Sequence, residues 1–312
     1  MIVTVTPNTT IDQTVVVAGF KKDSTMRAVQ TVQSMGGKPA DASFILGEIG
    51  IPSLALGFAA GSLGQKVEAL LRGRGVITDF IQVDGESRLN LVIIDRADGT
   101  SSTITSSTLQ VSADHVDALV QRCAAALVDA SCMVLGGVLP TAMEPSFYAR
   151  VIEMARQRGV PVIFDASEPY LSAGLHARPT FIKPNRDELA GLVGHPISSL
   201  DQAYQAGCEI LSQYGTSVII TLGGDGALAV LPQRSYQILP LPVEVVSPNG
   251  AGDAVLAGLA AALEREQPVE QGLRLGFAAA TAVLLQLGTA DCRRADVEHF
   301  LPQIQLLPYP GA

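Results

Sequence analysis

The sequence has little of what secreted, membrane-spanning or zinc-binding proteins require. Its 312 residues include only four cysteines, which show no C-x-x-C spacing and no zinc-type pairing with the four histidines. The sequence contains no run of about eighteen apolar residues, which a membrane-spanning helix would require. The amino terminus lacks a basic leader followed by an apolar core. We therefore expect a cytoplasmic protein with reduced thiols and no membrane partner.

Positive charge is scarce as well. The formal net charge is −9, and the Lys and Arg residues are scattered along the chain. Proteins that bind nucleic acid concentrate basic residues on the surface that meets the phosphates. We therefore expect no nucleic acid partner. Hydrophobic residues are abundant, at 47%, which is enough to bury a sizeable core.

Strand and helix patterns alternate along most of the chain. Short apolar runs such as MIVTVT, CMVLGG, PVIFDA and SVIITLGG alternate with helical stretches such as VDALVQRCAAAL and FYARVIEMARQRG. This order predicts an α/β fold whose mainly parallel sheet has helices on both faces. We expect one domain over residues 1–312.

Two segments, at about 10–35 and 86–106, break this alternation and are predicted to be antiparallel strands. In the second segment, Asp98-Gly99 is typical of a tight hairpin turn. Such strands can form a small lid that excludes water from a site, or they can be ordinary edge hairpins. Exposed lid strands can also pair with a second copy, so a homodimer through the lid is one expectation.

The stretch VVSPNGAGDAVLAGLAAALERE passes from a strand through glycines into a helix that begins at about Ala251. Free backbone N–H groups and the helix dipole at such a start favour a negative group. The carboxylate of Asp253 lies beside this position, where it can accept the proton of an attacking hydroxyl. Alternatively, the glycines only turn the chain and Asp253 only favours the helix dipole.

The segment NGAGDAVLAG resembles the carboxy-terminal signature of the ribokinase-like PfkB family of carbohydrate kinases, D-T-x-G-A-G-D. Ser247 and Pro248 replace its Asp and Thr, positions that also vary in branches similar to 1-phosphofructokinase and tagatose-6-phosphate kinase. The resemblance implies a three-layer α/β/α fold with a small β lid, and ATP and Mg²⁺ as cofactors. It also implies a catalytic centre made of Gly250, Ala251, Gly252 and Asp253.

Two further segments resemble the parts of this family that bind nucleotide. FIKPNRDEL is similar to K-P-N-x-x-E-L, and TLGGDGALAV is similar to S/T-L-G-x-x-G-A. The resemblance implies that Asn185 and Glu188 act near magnesium, and that the nucleotide contacts Lys183, Asn185, Thr221, Gly223 and Gly226. Read without the resemblance, the first motif is a helix capping box and the second is a glycine turn between strands.

The segment GGKPADA resembles the amino-terminal signature of the family, G-G-K-G-x-N-x-A, and implies that Gly36, Gly37 and Lys38 bind substrate. Pro39 replaces a glycine, which stiffens the turn and removes a backbone donor. Asp41 replaces the asparagine that contacts substrate hydroxyls, so an anion that can only accept hydrogen bonds is expected there. These departures affect the expected substrate rather than the fold.

The opening TPNTTID resembles the T-x-N-P-A-x-D start of the hexose-phosphate branch and implies that Asp12 binds sugar hydroxyls. Alternatively, Asp12 is a turn residue between strands. A phosphorylated sugar also needs cations, and the resemblance points to Arg27, Lys38 and Arg88, although Thr25 stands where a lysine is common. Gly137, in VLGGVLP, is expected near the substrate.

Together these features predict an ATP-dependent kinase of a sugar phosphate, of the fructose-1-phosphate or tagatose-6-phosphate type. The alternative is a kinase of an uncharged sugar, polyol or nucleoside. Asp41 favours this alternative, because an added carboxylate repels a substrate dianion unless it is paired. A third hypothesis is a non-catalytic sensor of sugar or nucleotide, which would be expected to have lost the base or the anion site. The sequence retains both.

Overall fold

Two β-sheets organise the protein, whose computed structural model describes residues 1–106 and 108–309. The strands are β1 Ile2–Thr6, β2 Thr10–Val17, β3 Gln30–Gly36, β4 Ser53–Ala59, β5 Ile77–Gln82, β6 Arg88–Asp95, β7 Ser101–Ile104, β8 Cys132–Gly136, β9 Val162–Asp165, β10 Phe181–Ile182, β11 Ser217–Thr221, β12 Ala227–Val230, β13 Tyr236–Ile238 and β14 Leu306–Pro308. The helices are α1 Lys38–Glu48, α2 Gly61–Gly73, α3 Ala113–Ala126, α4 Ser146–Gln157, α5 Tyr170–Leu175, α6 Arg186–Val193, α7 Leu200–Tyr214, α8 Ala251–Glu264, α9 Val269–Leu284 and α10 Arg294–Phe300.

The larger sheet has the strand order β14-β13-β12-β11-β10-β9-β8-β1-β4-β5. Neighbouring strands in the part of this order from β11 to β5 are all parallel. At the other edge, β12, β13 and β14 are added as antiparallel strands. The apolar runs quoted above coincide with β1, β8, β9 and β11. The prediction of a mainly parallel central sheet is therefore confirmed.

Both faces of this sheet are buried under helices. In β8, Met133 and Leu135 pack into a core with residues of α3, α4 and α7, whereas Cys132 and Val134 pack into a second core with residues of α1, α8 and α9. Successive side chains of a strand point to opposite faces, so the alternation divides one apolar strand between two cores. This arrangement is the predicted three-layer α/β/α fold.

The smaller sheet has the order β3-β2-β6-β7 and is built from the two segments that break the alternation. Each segment contributes an antiparallel hairpin, and the second turns near Asp98-Gly99 as predicted. The two hairpins join through β2 and β6, which are parallel from Thr10 opposite Arg88 to Val17 opposite Asp95. The predicted antiparallel strands are therefore confirmed within each segment, whereas the pairing between the two segments, which was not predicted, is parallel. That the smaller sheet acts as a lid on a single domain stays a prediction.

The carboxyl ends of β1, β8, β9, β10 and β11 lie along one edge of the large sheet. Loops that leave parallel strands at this edge are where α/β proteins bind ligands. Thr6, Gly136 and Asp165 are the last residues of β1, β8 and β9, and Lys183 directly follows β10. Among the helices of the described residues, none is long and apolar enough to cross a membrane.

Helices α8 and α9 pack closely through glycines. A Cβ added at Gly258 would lie 2.2 Å from the backbone nitrogen of Gly276 and 2.4 Å from the carbonyl oxygen of Gly272. Because protein interiors are close-packed, a methyl group cannot enter without moving a helix. These contacts fix the direction of α8, whose first turn lies at the edge of the sheet.

We expect Gly258→Ala to lower the free energy of unfolding by about 1–3 kcal/mol, because it overpacks the contact between α8 and α9. Gly73→Ala is a matched control, because Gly73 ends α2 with no neighbouring atom within 4 Å of its added Cβ. The control should be neutral or stabilising by about 0.5–1 kcal/mol, since alanine is the better helix former. Denaturant unfolding of both variants tests the contact, and equal midpoints for the two would contradict it.

Candidate active site

A cavity of about 250 Å³ lies between the carboxyl edge of the large sheet and the inner face of the small sheet. The residues that line it come from strand ends, from helix starts and from the small sheet. They are Thr6, Asn8, Thr10, Asp12, Gly37, Lys38, Asp41, Arg88, Asn90, Thr103, Gly136, Gly137, Val138, Ser167, Asn249, Gly250, Asp253 and Thr289. Segments far apart in the sequence, including the two motifs that begin at Gly36 and Asn249, therefore meet at one site.

The amino terminus of α8 opens into this cavity. Gly250 caps the helix with φ of 84°, and a Cβ there would lie 2.2 Å from the nitrogen of Ala290, so only glycine fits. Ala251 N–H donates a long hydrogen bond of 3.4 Å to the carbonyl of Pro248. A Cβ at Gly252 would lie 3.2 Å from Nζ of Lys183. These glycines therefore let other chain segments approach the helix start.

Asp253, in the first turn of α8, is buried in the cavity wall. Burial is the largest influence on its carboxyl group and, with the nearby Asp165 carboxylate, raises its pKa to about 7, although Lys183 and Lys38 act in the opposite direction. A carboxylate with a pKa near neutrality is well matched to accepting a proton from a hydroxyl.

Asp165, at the end of β9, was not identified from the sequence. Its side chain is 1% exposed, and its two oxygens lie 2.8 Å from Nζ of Lys38 and 3.0 Å from Nζ of Lys183. Burial alone would raise its pKa, but these two ammonium groups outweigh burial and lower it. The available signal was an aspartate at the end of PVIFD, a strand whose carboxyl end lies at the site.

Lys38 has a different environment from the one expected. Its ammonium group lies between Asp165 and Glu188, at 3.2 Å from the latter, so two carboxylates already neutralise it. Burial favours the neutral amine, but Asp165, Glu188 and Asp253 together raise its pKa. Lys38 still lines the cavity, yet its charge belongs to the ion-pair network rather than standing free for a substrate phosphate.

Asp12 lies within β2 and faces the cavity, so it is not a turn residue. Its carboxylate accepts hydrogen bonds from Nδ2 of Asn90 at 3.0 Å and from Oγ1 of Thr289 at 2.8 Å. Burial raises its pKa, while Thr289, Asn90 and Arg88 lower it. A Cβ at Gly36 would lie 2.5 Å from Asp12 Oδ1, so Gly36 makes room for this carboxylate.

Buried polar groups without partners line the same cavity. Within the described ranges 1–106 and 108–309, neither side-chain polar atom of Asn8 has a hydrogen-bond partner, and the same holds for Oγ1 of Thr6 and Nε of Arg88. A buried polar group without a partner is costly, so such groups point to a polar ligand. Asn8 was missed, although it lies inside the TPNTTID motif.

A comparison with known protein families matches residues 3–296 to the pfkB family carbohydrate kinases. The chain belongs to this family. It is 29% identical to 1-phosphofructokinase of Bacillus subtilis, over 98% of this chain and 99% of that protein. It is 26% identical to tagatose-6-phosphate kinase of Staphylococcus epidermidis, with the same two coverages of 98% and 99%.

Phosphofructokinase-2 of Escherichia coli, solved in complex with potassium, has a similar structure. The two chains superpose with a TM-score of 0.86 at 25% identity, over 97% of this chain and 98% of that one. The protein is therefore a carbohydrate kinase, as the motifs predicted, and ATP is its co-substrate as in other members of its kinase family.

In this pfkB kinase, the two motifs predicted to bind nucleotide lie side by side, outside the cavity lining. Asn185 and Glu188 form a capping box, because Asn185 Oδ1 accepts from Glu188 N at 2.8 Å and Glu188 Oε2 accepts from Asn185 N at 2.9 Å. The local interpretation of this motif is therefore correct, and Glu188 additionally meets Lys38. Thr221 forms a bridge with Asn185 across the sheet edge.

The glycine loop after β11 is also a tight turn. Gly223 and Gly226 both have positive φ, and a Cβ at Gly226 would lie 2.1 Å from the carbonyl oxygen of Ile238. The interpretation as a glycine turn is therefore correct as well. It does not exclude a contact with nucleotide, which stays a prediction for Thr221, Gly223 and Gly226.

The remaining substrate predictions divide between residues inside and outside the cavity. Gly37, Arg88 and Gly137 line it, whereas Arg27 is exposed in the loop between β2 and β3 and does not. Pro39 lies in the first turn of α1, where a backbone donor is not needed for helix bonding. Asp41 also lines the cavity, with its carboxyl group within hydrogen-bonding reach of Asp253.

Proposed function

We propose that the protein transfers the γ-phosphoryl group of ATP to a hydroxyl of a sugar phosphate, of the fructose-1-phosphate or tagatose-6-phosphate type. The observation that carries this proposal is that one cavity contains both Asp253, at the start of a helix, and Arg88, on the small sheet. The names of the two curated relatives also support a sugar phosphate acceptor. A cytoplasmic location, where ATP is available, stays a prediction.

In the proposed reaction, Asp253 accepts the proton of the acceptor hydroxyl as its oxygen attacks the γ-phosphorus. The bond from this phosphorus to the bridging oxygen breaks and ADP leaves. The amino terminus of α8, with its cap Gly250 and the following residues Ala251 and Gly252, stabilises the negative oxygens through its N–H groups and dipole. Nζ of Lys183 also lies next to Gly252, where it pairs with Asp165.

Magnesium would supply further positive charge to the phosphates when it is bound. The described residues contain no group of three or more His, Cys, Asp or Glu side chains that could hold a metal ion. Both oxygens of Glu188 are also engaged, by Asn185 and Lys38. Mg²⁺ keeps much of its water and is often held by nucleotide phosphates rather than by a protein cage, so it does not require such a group of protein ligands. Asn185 and Glu188 would act on it indirectly, through water.

Asp253→Asn should lower kcat by about 10²–10⁴-fold, because the amide cannot accept the proton. Nucleotide binding and the melting temperature should change little, since Asn has nearly the same shape. Steady-state kinetics with ATP and the preferred acceptor, together with a nucleotide titration, test the role. Activity within a few-fold of the unmodified protein would remove Asp253 as the base.

The phosphate of the acceptor is proposed to meet Arg88. Its guanidinium is buried at the cavity wall, with Nη2 donating to Asn90 at 3.2 Å and Nε without a partner among the described residues. Arginine binds phosphate oxygens with paired, charge-assisted hydrogen bonds. A kinase of an uncharged sugar, polyol or nucleoside is the second candidate, favoured by the carboxyl groups of Asp12 and Asp41 in the same cavity.

Arg88→Ala should raise KM for the sugar phosphate by about 10–100-fold, because charge-assisted hydrogen bonds to the phosphate are lost. Arg27→Ala is the control, since Arg27 is exposed outside the cavity. Initial rates on a panel of phosphorylated and uncharged acceptors measure both effects. If an uncharged acceptor is the best substrate and Arg88→Ala leaves its KM unchanged, the second candidate is correct.

The outer face of the small sheet is proposed to pair with a second copy of the chain. Leu89, on β6, and Ile104, on β7, are exposed large apolar residues, and Ile104 is 58% exposed. Leu91 lies opposite Ile104 in the register of the two strands, so these side chains share one face. An apolar sheet face of this kind is stabilised when a partner covers it.

Ile104→Lys should convert the predicted dimer into a monomer, because it buries a charge in the proposed interface. Val128→Lys is the control, since Val128 is 73% exposed in the loop after α3, away from the small sheet. Sedimentation equilibrium at micromolar concentration distinguishes the two variants. A monomeric parent protein, or equal masses for both variants, would contradict pairing through this face.

A further inference from the structure

The buried carboxyl group of Asp41 lies beside that of the proposed base. Asp41 is in the first turn of α1 and only 2% exposed, and its carboxyl is within hydrogen-bonding reach of Asp253 on α8. Asp12, on β2, also faces this pair. Three acidic side chains from three different elements therefore converge on one small cavity.

No cation is paired with Asp41 in the part of the chain that the structure describes. Lys38 pairs with Asp165 and Glu188, and Lys183 pairs with Asp165. Arg88 lies next to Asn90 and acts on Asp12. Two carboxylates cannot both stay ionised side by side in a buried site without a cation, so such a pair holds a proton between them.

The surroundings favour the proton on Asp41 rather than on Asp253. Lys183 and Lys38 both act to lower the pKa of Asp253, which favours its carboxylate form. For Asp41, burial raises the pKa well above its ordinary value, and the Asp253 and Asp12 carboxylates raise it further. One oxygen of Asp41, Oδ1, is buried and has no hydrogen-bond partner in the described structure, and the residue lines the cavity.

We propose that Asp41 is a positioning residue that acts as a neutral carboxylic acid, donating its O–H to the Asp253 carboxylate and offering its other oxygen to the acceptor hydroxyl. The proposal rests on Asp253 being the base of the proposed function. The bond to Asp41 orients the carboxylate that must accept the hydroxyl proton. The proton on Asp41 comes from solvent and is not transferred during the reaction.

A neutral Asp41 removes the conflict between this residue and a phosphorylated acceptor. A protonated carboxyl has one donor and a free acceptor oxygen, as a carboxamide has, and it carries no charge to repel a phosphate. The substitution at this signature position therefore preserves the hydrogen-bonding pattern of an asparagine. At alkaline pH, loss of the proton would place a second negative charge beside Asp253. The hydrogen bond from Asp41 to Asp253 would then be lost, and the phosphorylated acceptor would be repelled.

Asp41→Asn tests the proposal, because it keeps a neutral donor and acceptor that cannot ionise. At pH 7 its kcat/KM should stay within about threefold of the parent value, whereas Asp41→Ala should lose about 10–100-fold. The parent kcat/KM should fall at alkaline pH as Asp41 ionises, and this fall should be absent in Asp41→Asn. Ser43→Ala, a buried change on the same helix, is the control and should retain the alkaline fall.

Three kinetic results would overturn the proposal. The first is a loss of more than tenfold in Asp41→Asn at pH 7, which would mean that Asp41 acts as an anion. The second is an alkaline fall that persists unchanged in Asp41→Asn. The third is full activity in Asp41→Ala, which would mean that the residue does not act at the site.

A measurement without substrate separates this proposal from the proposed function. The infrared difference spectrum between the parent protein and Asp41→Asn, recorded without substrate at pH 7, should contain the carbonyl stretch of one protonated carboxylic acid that the variant has lost. Absence of this band from the parent protein would overturn the proposal, whatever the acceptor is. If the band is present but no sugar phosphate is phosphorylated, the acceptor assignment fails while the protonation of Asp41 stands.

Discussion

The ion-pair network around Asp165 holds the candidate site together. This buried carboxylate binds Lys38 at the start of α1 and Lys183 directly after β10, and Lys38 extends the network to Glu188 on α6. Removing one member of a buried ion pair costs about 3–5 kcal/mol, because an uncompensated charge remains. The helix starts and strand ends around the cavity are therefore fixed relative to one another by charge as well as by packing.

The same network determines how much negative charge the cavity can hold. The ammonium groups of Lys38 and Lys183 face the carboxylates of Asp165, Glu188 and Asp253. The positive charge is therefore fully balanced when Asp253 is ionised. The carboxylate form of Asp12 is stabilised separately, by hydrogen bonds from Thr289 and Asn90 and by the positive charge of Arg88. A further ionised carboxylate at Asp41 would have no partner, which is why its neutral form fits the site.

The sequence predicted the layered α/β fold, because alternating apolar runs and helical stretches are local patterns that report burial on both faces of a sheet. It also led to much of the cavity, since Gly37, Asp12, Arg88 and Asp253 lie within recognisable motifs. It did not reveal Asp165, whose role depends on lysines that approach only in the folded chain. The parallel pairing of β2 with β6 was missed for the same reason, because strand direction across a long separation has no local signal.

The hydrogen bond between Asp12 and Thr289 joins residues 277 positions apart and ties the small sheet to the loop beside Gly250. A movement of the small sheet as a lid, which stays a prediction, would break this bond and the bond from Thr289 N to Oγ of Ser34 on β3. A charge-assisted hydrogen bond contributes about 1.5–3 kcal/mol, which corresponds to a roughly 10- to 100-fold preference for the closed arrangement. The Asp12–Thr289 bond therefore contributes only a fraction of the free energy of unfolding of a typical domain, so breaking it would not require the chain to unfold.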